Sequence, residues 1–162
     1  MRTPMKLTLA LLALIPPVAT AYTVKAPLSG TVTATTYSAT GAFHGAVDIA
    51  SSQCGYWGVT PGLVGSVYWN ITIQSTSNSC VTGVATGNEA KHVFADGTIY
   101  RIRNFIRTAA SVDKTCDRCQ IGDEGLHMHV QVDKNGTKDT SWYSAYTTQG
   151  EAVDTTETLG VF

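Results

Sequence analysis

Gly125-Leu126-His127-Met128-His129-Val130-Gln131-Val132 alternates apolar and polar side chains with a period of two. On an extended strand, residues two apart project from the same face. His127 and His129 therefore point into one space, while Leu126, Met128 and Val130 point into a core. The run predicts a half-buried strand over Leu126–Val132 that carries two of the chain's 4 histidines on its polar side.

Outward from this strand, the chain is rich in Thr, Val, Ile and Tyr, with glycine recurring every few residues and no sustained helical period. It reads as all-β. Further strands are predicted over Gly30–Thr36, Gly45–Ala50, Leu63–Gln74, Glu89–Phe94 and Thr98–Arg107, from β-branched and aromatic enrichment. Asp96-Gly97 separates two of these runs as a hairpin turn, and Asn135-Gly136 ends another. The last thirty residues, rich in Thr, Ser and Gly around Trp142, Tyr143 and Tyr146, are expected to form an extra hairpin or a loosely packed tail.

A third histidine lies in Phe43-His44-Gly45-Ala46-Val47-Asp48-Ile49. The spacing from His44 to Asp48 is even, which puts both on one face if the segment is extended. A histidine, a carboxylate and a His-x-His pair supply the donor types that zinc prefers. Either motif alone is a weak signal, but together they use three of the four histidines. His92, ahead of the Asp96-Gly97 turn, is read as structural. Asp123 and Glu124 are candidate acid–base or substrate-contacting groups, although acidic residues in a glycine-bounded loop are usually only solvated. Tyr100, Arg101 and Arg103 belong to the sheet surface or to a groove wall.

At the N-terminus, Arg2 and Lys6 precede an apolar run from Leu7 to Ile15, followed by Ala19-Thr20-Ala21. This is the pattern of an export signal over residues 1–21 and is too short for a membrane span. The remainder, 22–162, has the length of a single domain. The chain carries 11 Lys and Arg against 12 Asp and Glu, a formal charge of −1. Removal of Arg2 and Lys6 makes the mature charge roughly −3, so the electrostatic footprint of a nucleic-acid binder is missing. No membrane association is expected after signal removal, and a monomer is expected.

Cys54, Cys80, Cys116 and Cys119 all lie in the exported part, where an even number of cysteines usually means disulfides. Of three possible pairings, Cys54 with Cys80 and Cys116 with Cys119 is favoured, the first stapling a long loop and the second closing a tight one. Cys116-Asp117-Arg118-Cys119 also fits a redox pair or half a zinc site, but no second such motif follows. Asn70-Ile71-Thr72 and Asn135-Gly136-Thr137 are N-glycosylation sequons.

The two histidine motifs resemble those of the lysostaphin-type zinc endopeptidases, the family of LytM-like and β-lytic enzymes that cleave peptides of bacterial peptidoglycan. The family signature is H-x-x-x-D followed much later by H-x-H, matched here by His44, Asp48, His127 and His129. His44-Gly45-Ala46-Val47-Asp48-Ile49-Ala50 resembles the family's HxGxDIA phrase with the glycine displaced, and the 125–132 run resembles GPHLHFEV. Gly62–Val67 and Gln120-Ile121-Gly122 extend the likeness, which covers roughly Pro27 to Val132. The resemblance implies a small antiparallel β-sheet or sandwich framework with an open groove and one zinc ion held by His44, Asp48 and His129. It implies that His127 is the catalytic histidine and that the partner is a cell-wall peptide. In the family's Tyr-x-His-Leu phrase a further catalytic histidine is usual. The best match here is Ile102-Arg103-Asn104-Phe105, which puts Asn104 at that position. An amide donates a hydrogen bond but carries no proton between partners, so the resemblance admits a slower enzyme or a relative that binds without cutting.

Overall fold

The computed structural model describes residues 20–51, 57–74, 87–106 and 113–162. Most of the export signal, together with Cys54 and Cys80, lies outside the described residues. The chain is all-β, and every strand pair is antiparallel. In chain order the strands are β1 (Thr23–Lys25), β2 (Gly30–Ala34), β3 (Val47–Ala50), β4 (Trp57–Val59), β5 (Val67–Thr72), β6 (Glu89–Val93) and β7 (Ile99–Arg103). They continue as β8 (Lys114–Cys116), β9 (Gly122–Asp123), β10 (His127–Lys134), β11 (Thr137–Lys138), β12 (Ala152–Val153) and β13 (Thr158–Val161).

A 9-stranded sheet runs in the order β12-β2-β3-β10-β7-β6-β5-β8, with β11 also paired to β10. Two small sheets, β1-β13 and β4-β9, complete the fold. β10 is central, and its alternation divides the large sheet into two chemically different faces. Met128, Val130 and Val132 are fully buried, and they join Val47, Ile49, Tyr100, Ile102, Ala90, Ile71 and Trp69 in one core cluster. Side chains of this size stabilise the fold by about 1.5–3 kcal/mol each when removed from water. His127, His129, Gln131 and Asp133 share the opposite face, as period two requires.

The six expected strands all appear, with two informative differences. The segment from Gly45 becomes a strand only at Val47, because Gly45 takes a φ of +64° and turns the chain there. The segment from Leu63 becomes a strand only at Val67, because Gly65 has a φ of +122°. Asp96-Gly97 does connect β6 to β7, and Asn135-Gly136 connects β10 to β11.

The last thirty residues form no loose tail. Trp142 and Tyr143 are each 1% exposed and belong to the main core, whereas Tyr146 is 50% exposed. β12 extends the large sheet beside β2, and β13 pairs with β1. Cys116 and Cys119 form a disulfide at the end of β8, consistent with an oxidising compartment.

Candidate metal centre

Register brings the first two groups of the site together. His129 on β10 lies directly opposite Asp48 on β3, a pairing that holds Cβ atoms about 4.5–5.5 Å apart. His129 Nδ1 stands 2.9 Å from Asp48 Oδ1. The third group arrives from a loop. His44 precedes β3, and its backbone N–H donates to Thr36 O at 2.8 Å, while Gly45 N–H donates to the same oxygen at 3.1 Å. The left-handed turn at Gly45 swings the His44 ring back over Asp48, placing Nε2 3.2 Å from Asp48 Oδ2 and 3.1 Å from His129 Nδ1. Both cross-loop braces come from the C-terminal part of the chain. Lys138 Nζ donates to His44 O, and the Tyr143 and Thr36 hydroxyls are 3.0 Å apart.

His44, Asp48 and His129 therefore offer one ligand atom each, all within 4.8 Å of one another. Ligands about 2.0–2.1 Å from a tetrahedral zinc lie about 3.3 Å apart, close to the spacing of these three. The outward hydrogen bonds orient both rings. Thr35 O, 2.8 Å from His44 Nδ1, can only accept, so Nδ1 donates to it and Nε2 turns inward. Gln131 Oε1, 2.9 Å from His129 Nε2, likewise can only accept, so Nε2 donates to it and Nδ1 turns inward. Two inward ring nitrogens and a carboxylate thus face one point. That arrangement fits a cation, and it has the outer hydrogen bonds that orient metal-binding histidines.

Without a cation, a proton is the substitute. The hydrogen bond that His44 donates to Asp48 raises the His44 pKa above 6.5, against the opposing effect of burial. Burial pushes the Asp48 carboxyl up, but the combined hydrogen bonds and charges of His129 and His44 override it and hold Asp48 well below the usual carboxylate range.

His127 is on the same strand face as His129, opposite Ala50, and outside the three-ligand group. The Asn104 amide donates to His127 Nε2 at 3.0 Å. Asn104 follows β7 in the left-handed region, at a φ of +70°, a conformation that Asn tolerates better than most residues. Its backbone N–H donates to Asn88 O, and Gly125 packs against its carbonyl so closely that a Cβ there would lie 2.4 Å from Asn104 O.

The other polar candidates go elsewhere. Glu124 is buried and accepts from Ser51 Oγ at 2.6 Å. Asp123 contributes backbone bonds to Ile106 and a side-chain contact with Gln120. His92 donates from Nδ1 to Tyr68 O at 2.7 Å and packs against Trp69 and Phe94, a structural role. Tyr100 is a core residue whose hydroxyl donates to Pro61 O, whereas Arg101 and Arg103 pair with Glu89 on the polar face.

Gln131 was not singled out by the sequence, although its place two residues after His129 already put it on the same face. Comparison with models of protein families, with curated proteins and with solved structures finds no match in any of the three.

Proposed function

We propose that the chain is a secreted zinc metalloendopeptidase that hydrolyses peptide bonds in bacterial peptidoglycan. One arrangement supports this reading: three converging ligand groups, with an unligated histidine two residues along the same strand face and an amide donor bound to it. A purely structural histidine cluster has no need of the fourth and fifth groups. Nucleic-acid and membrane partners are not part of the proposal.

His44 Nε2, Asp48 and His129 Nδ1 would hold the ion. Zinc, when bound by three protein groups, supplies a Lewis acid for a scissile carbonyl and acidifies water near neutral pH. His127 Nε2 has its lone pair directed at Asn104. On substrate entry the attacking water would take the place of the Asn104 amide at Nε2, which accepts the water's proton and returns it to the leaving amine. Asn104 has two amide hydrogens. One holds His127 before substrate enters, and the amide then donates to the oxyanion as it develops.

The test is elemental analysis of the purified mature protein, joined to muropeptide analysis and turbidity of cell-wall suspensions. One zinc per chain and new amino termini in the wall peptides are expected. The absence of both zinc and cleavage would overturn the proposal. The presence of Asn104, where a proton-carrying histidine is expected, favours a second reading, a wall-binding protein that does not cut. Zinc-loaded protein that sediments with walls and releases no new amino termini is the result that reading requires.

A further inference from the structure

The metal centre continues sideways across the sheet. Register places Arg103 on β7 directly opposite His129, and Glu89 on β6 directly opposite Arg103. Asp48, His129, Arg103 and Glu89 therefore form one row across four neighbouring strands, on the polar face. Strands in a sheet lie about 4.8 Å apart, so Arg103 stands one strand from His129, on the side away from Asp48. The two arginines of β7 differ in what their guanidinium groups have left to offer. Arg101 is fully engaged: Nη2 is 2.6 Å from Asp133 Oδ2, a carboxylate that also accepts from the Gln131 amide, and Nη1 reaches Glu89 Oε2 at 3.4 Å. Arg103 is 40% exposed and donates from Nε, to Glu89 Oε2 at 2.6 Å. Among the described residues, no hydrogen bond or ion pair engages its Nη1 or Nη2.

A guanidinium held at Nε presents its other two nitrogens as a planar fork, the shape that grips a carboxylate by two parallel bonds. Glu89 holds the side chain in place before any ligand arrives, so less rotamer freedom remains to be lost on binding. We propose that Arg103 is a specificity-determining residue of the centre: its Nη fork takes a carboxylate of the peptide and sets a preference for acidic over amidated chains. A peptide anchored there lies one strand from His129 and reaches the ion along the row. Arg103 holds the substrate away from the reacting bond, so its effect falls on binding. The inference rests on the peptidase reading of the centre. Two sources of the carboxylate fit the fork, an internal acidic residue and the C-terminus of the chain.

The probe is a cell-wall stem tetrapeptide that carries both carboxylates, compared with the same peptide amidated at its internal glutamate and with the same peptide amidated at its C-terminus. Dissociation constants are read by calorimetry on zinc-loaded protein in the His127→Ala background, where peptide is not consumed, and release of wall peptides is followed separately in the protein that retains His127. One amidated form should bind about tenfold more weakly than the parent tetrapeptide, the low end for hydrogen bonds to a charged group and suited to a half-exposed side chain. Whichever form it is identifies the carboxylate. In Arg103→Gln the preference disappears, and Arg103→Lys restores only part of it, because an ammonium keeps the charge without the fork. A preference that survives intact in Arg103→Gln overturns the inference, as does equal binding, or no binding, of all three peptides before Arg103 is changed. Should Arg103→Gln fail to fold, Arg103→Lys decides: an undiminished preference overturns the fork, and a reduced one supports it. A preference that depends on Arg103 in a protein that releases nothing from cell walls would refute the peptidase reading alone. Wall cleavage without such a preference would refute the anchor alone.

Discussion

Asp48→Ala distinguishes a metal centre from a pair of histidines that merely share a carboxylate. Asp48 is 2.9 Å from His129 Nδ1 and 3.2 Å from His44 Nε2, with a side chain only 16% exposed. Hydrogen bonds to a charged group contribute about 1.5–3 kcal/mol each, and two bonds to one carboxylate are not additive. The metal-free variant should therefore lose roughly 2–4 kcal/mol of stability. The decisive quantity is the response to zinc. At about a hundred times Kd, an ion that binds only the folded state adds about 2.7 kcal/mol. At roughly 2–4 °C per kcal/mol for a domain of this size, that is a rise in Tm of roughly 5–10 °C. Thermal unfolding with zinc and with a chelator should show this rise in the wild type and not in Asp48→Ala or His129→Ala. His127→Ala should retain the rise while losing hydrolysis, because its ring is outside the ligand group. A full zinc response in Asp48→Ala, or its loss in His127→Ala, would refute the division between ligands and catalytic histidine.

Zinc affinity should weaken as pH falls through a value above 6.5, because the raised His44 pKa makes a proton the competitor at Nε2, by about tenfold per pH unit for one displaced proton. A flat affinity profile from about pH 8 to about pH 5 contradicts this assignment. The metal-free protein should behave oppositely on the alkaline side: a raised folded pKa contributes stability that is full below about 6.5 and is lost as pH rises through the folded value. The depressed Asp48 pKa adds stability present above about 3.8 and lost as pH falls toward its folded value, so metal-free melting curves should peak between these limits. Asn104→Ala should keep zinc and lower hydrolysis at least about tenfold, toward the ~10²–10³ cost of a lost oxyanion donor. Asn104→His should raise it, since His also tolerates the positive φ; equal rates in all three proteins would remove Asn104 from the chemistry. Gly125→Ala should cost about 1–3 kcal/mol by overpacking against Asn104 O and should break the bond to His127, visible as a changed His127 ring signal in NMR.

Much of the framework was legible before any coordinates. Period two in 125–132 placed Met128 and Val130 inside and His127 with His129 outside, because a strand leaves a side chain no other choice of face. The Asp96-Gly97 turn and the β-branched runs likewise specified β6 and β7 through local chemistry alone. The convergence of His44 with Asp48 was expected for the wrong local reason. Even spacing on an extended strand was the argument, whereas the turn at Gly45 and the bonds to Thr36 achieve it. Tertiary structure also decided the fate of the last thirty residues. Their Thr, Ser and Gly content resembles a tail, yet Trp142 and Tyr143 fill the core, and Tyr143 and Lys138 brace the His44 loop. The same holds for Gln131, Asp133 and Arg101: the sequence puts the first two on one face, but their order of donors and acceptors depends on the register of β7 against β10. Composition and periodicity act within a few residues and so determine which face a side chain takes. Which atoms meet across 81 residues from Asp48 to His129 is set by strand pairing, a non-local choice made by burying the shared apolar face.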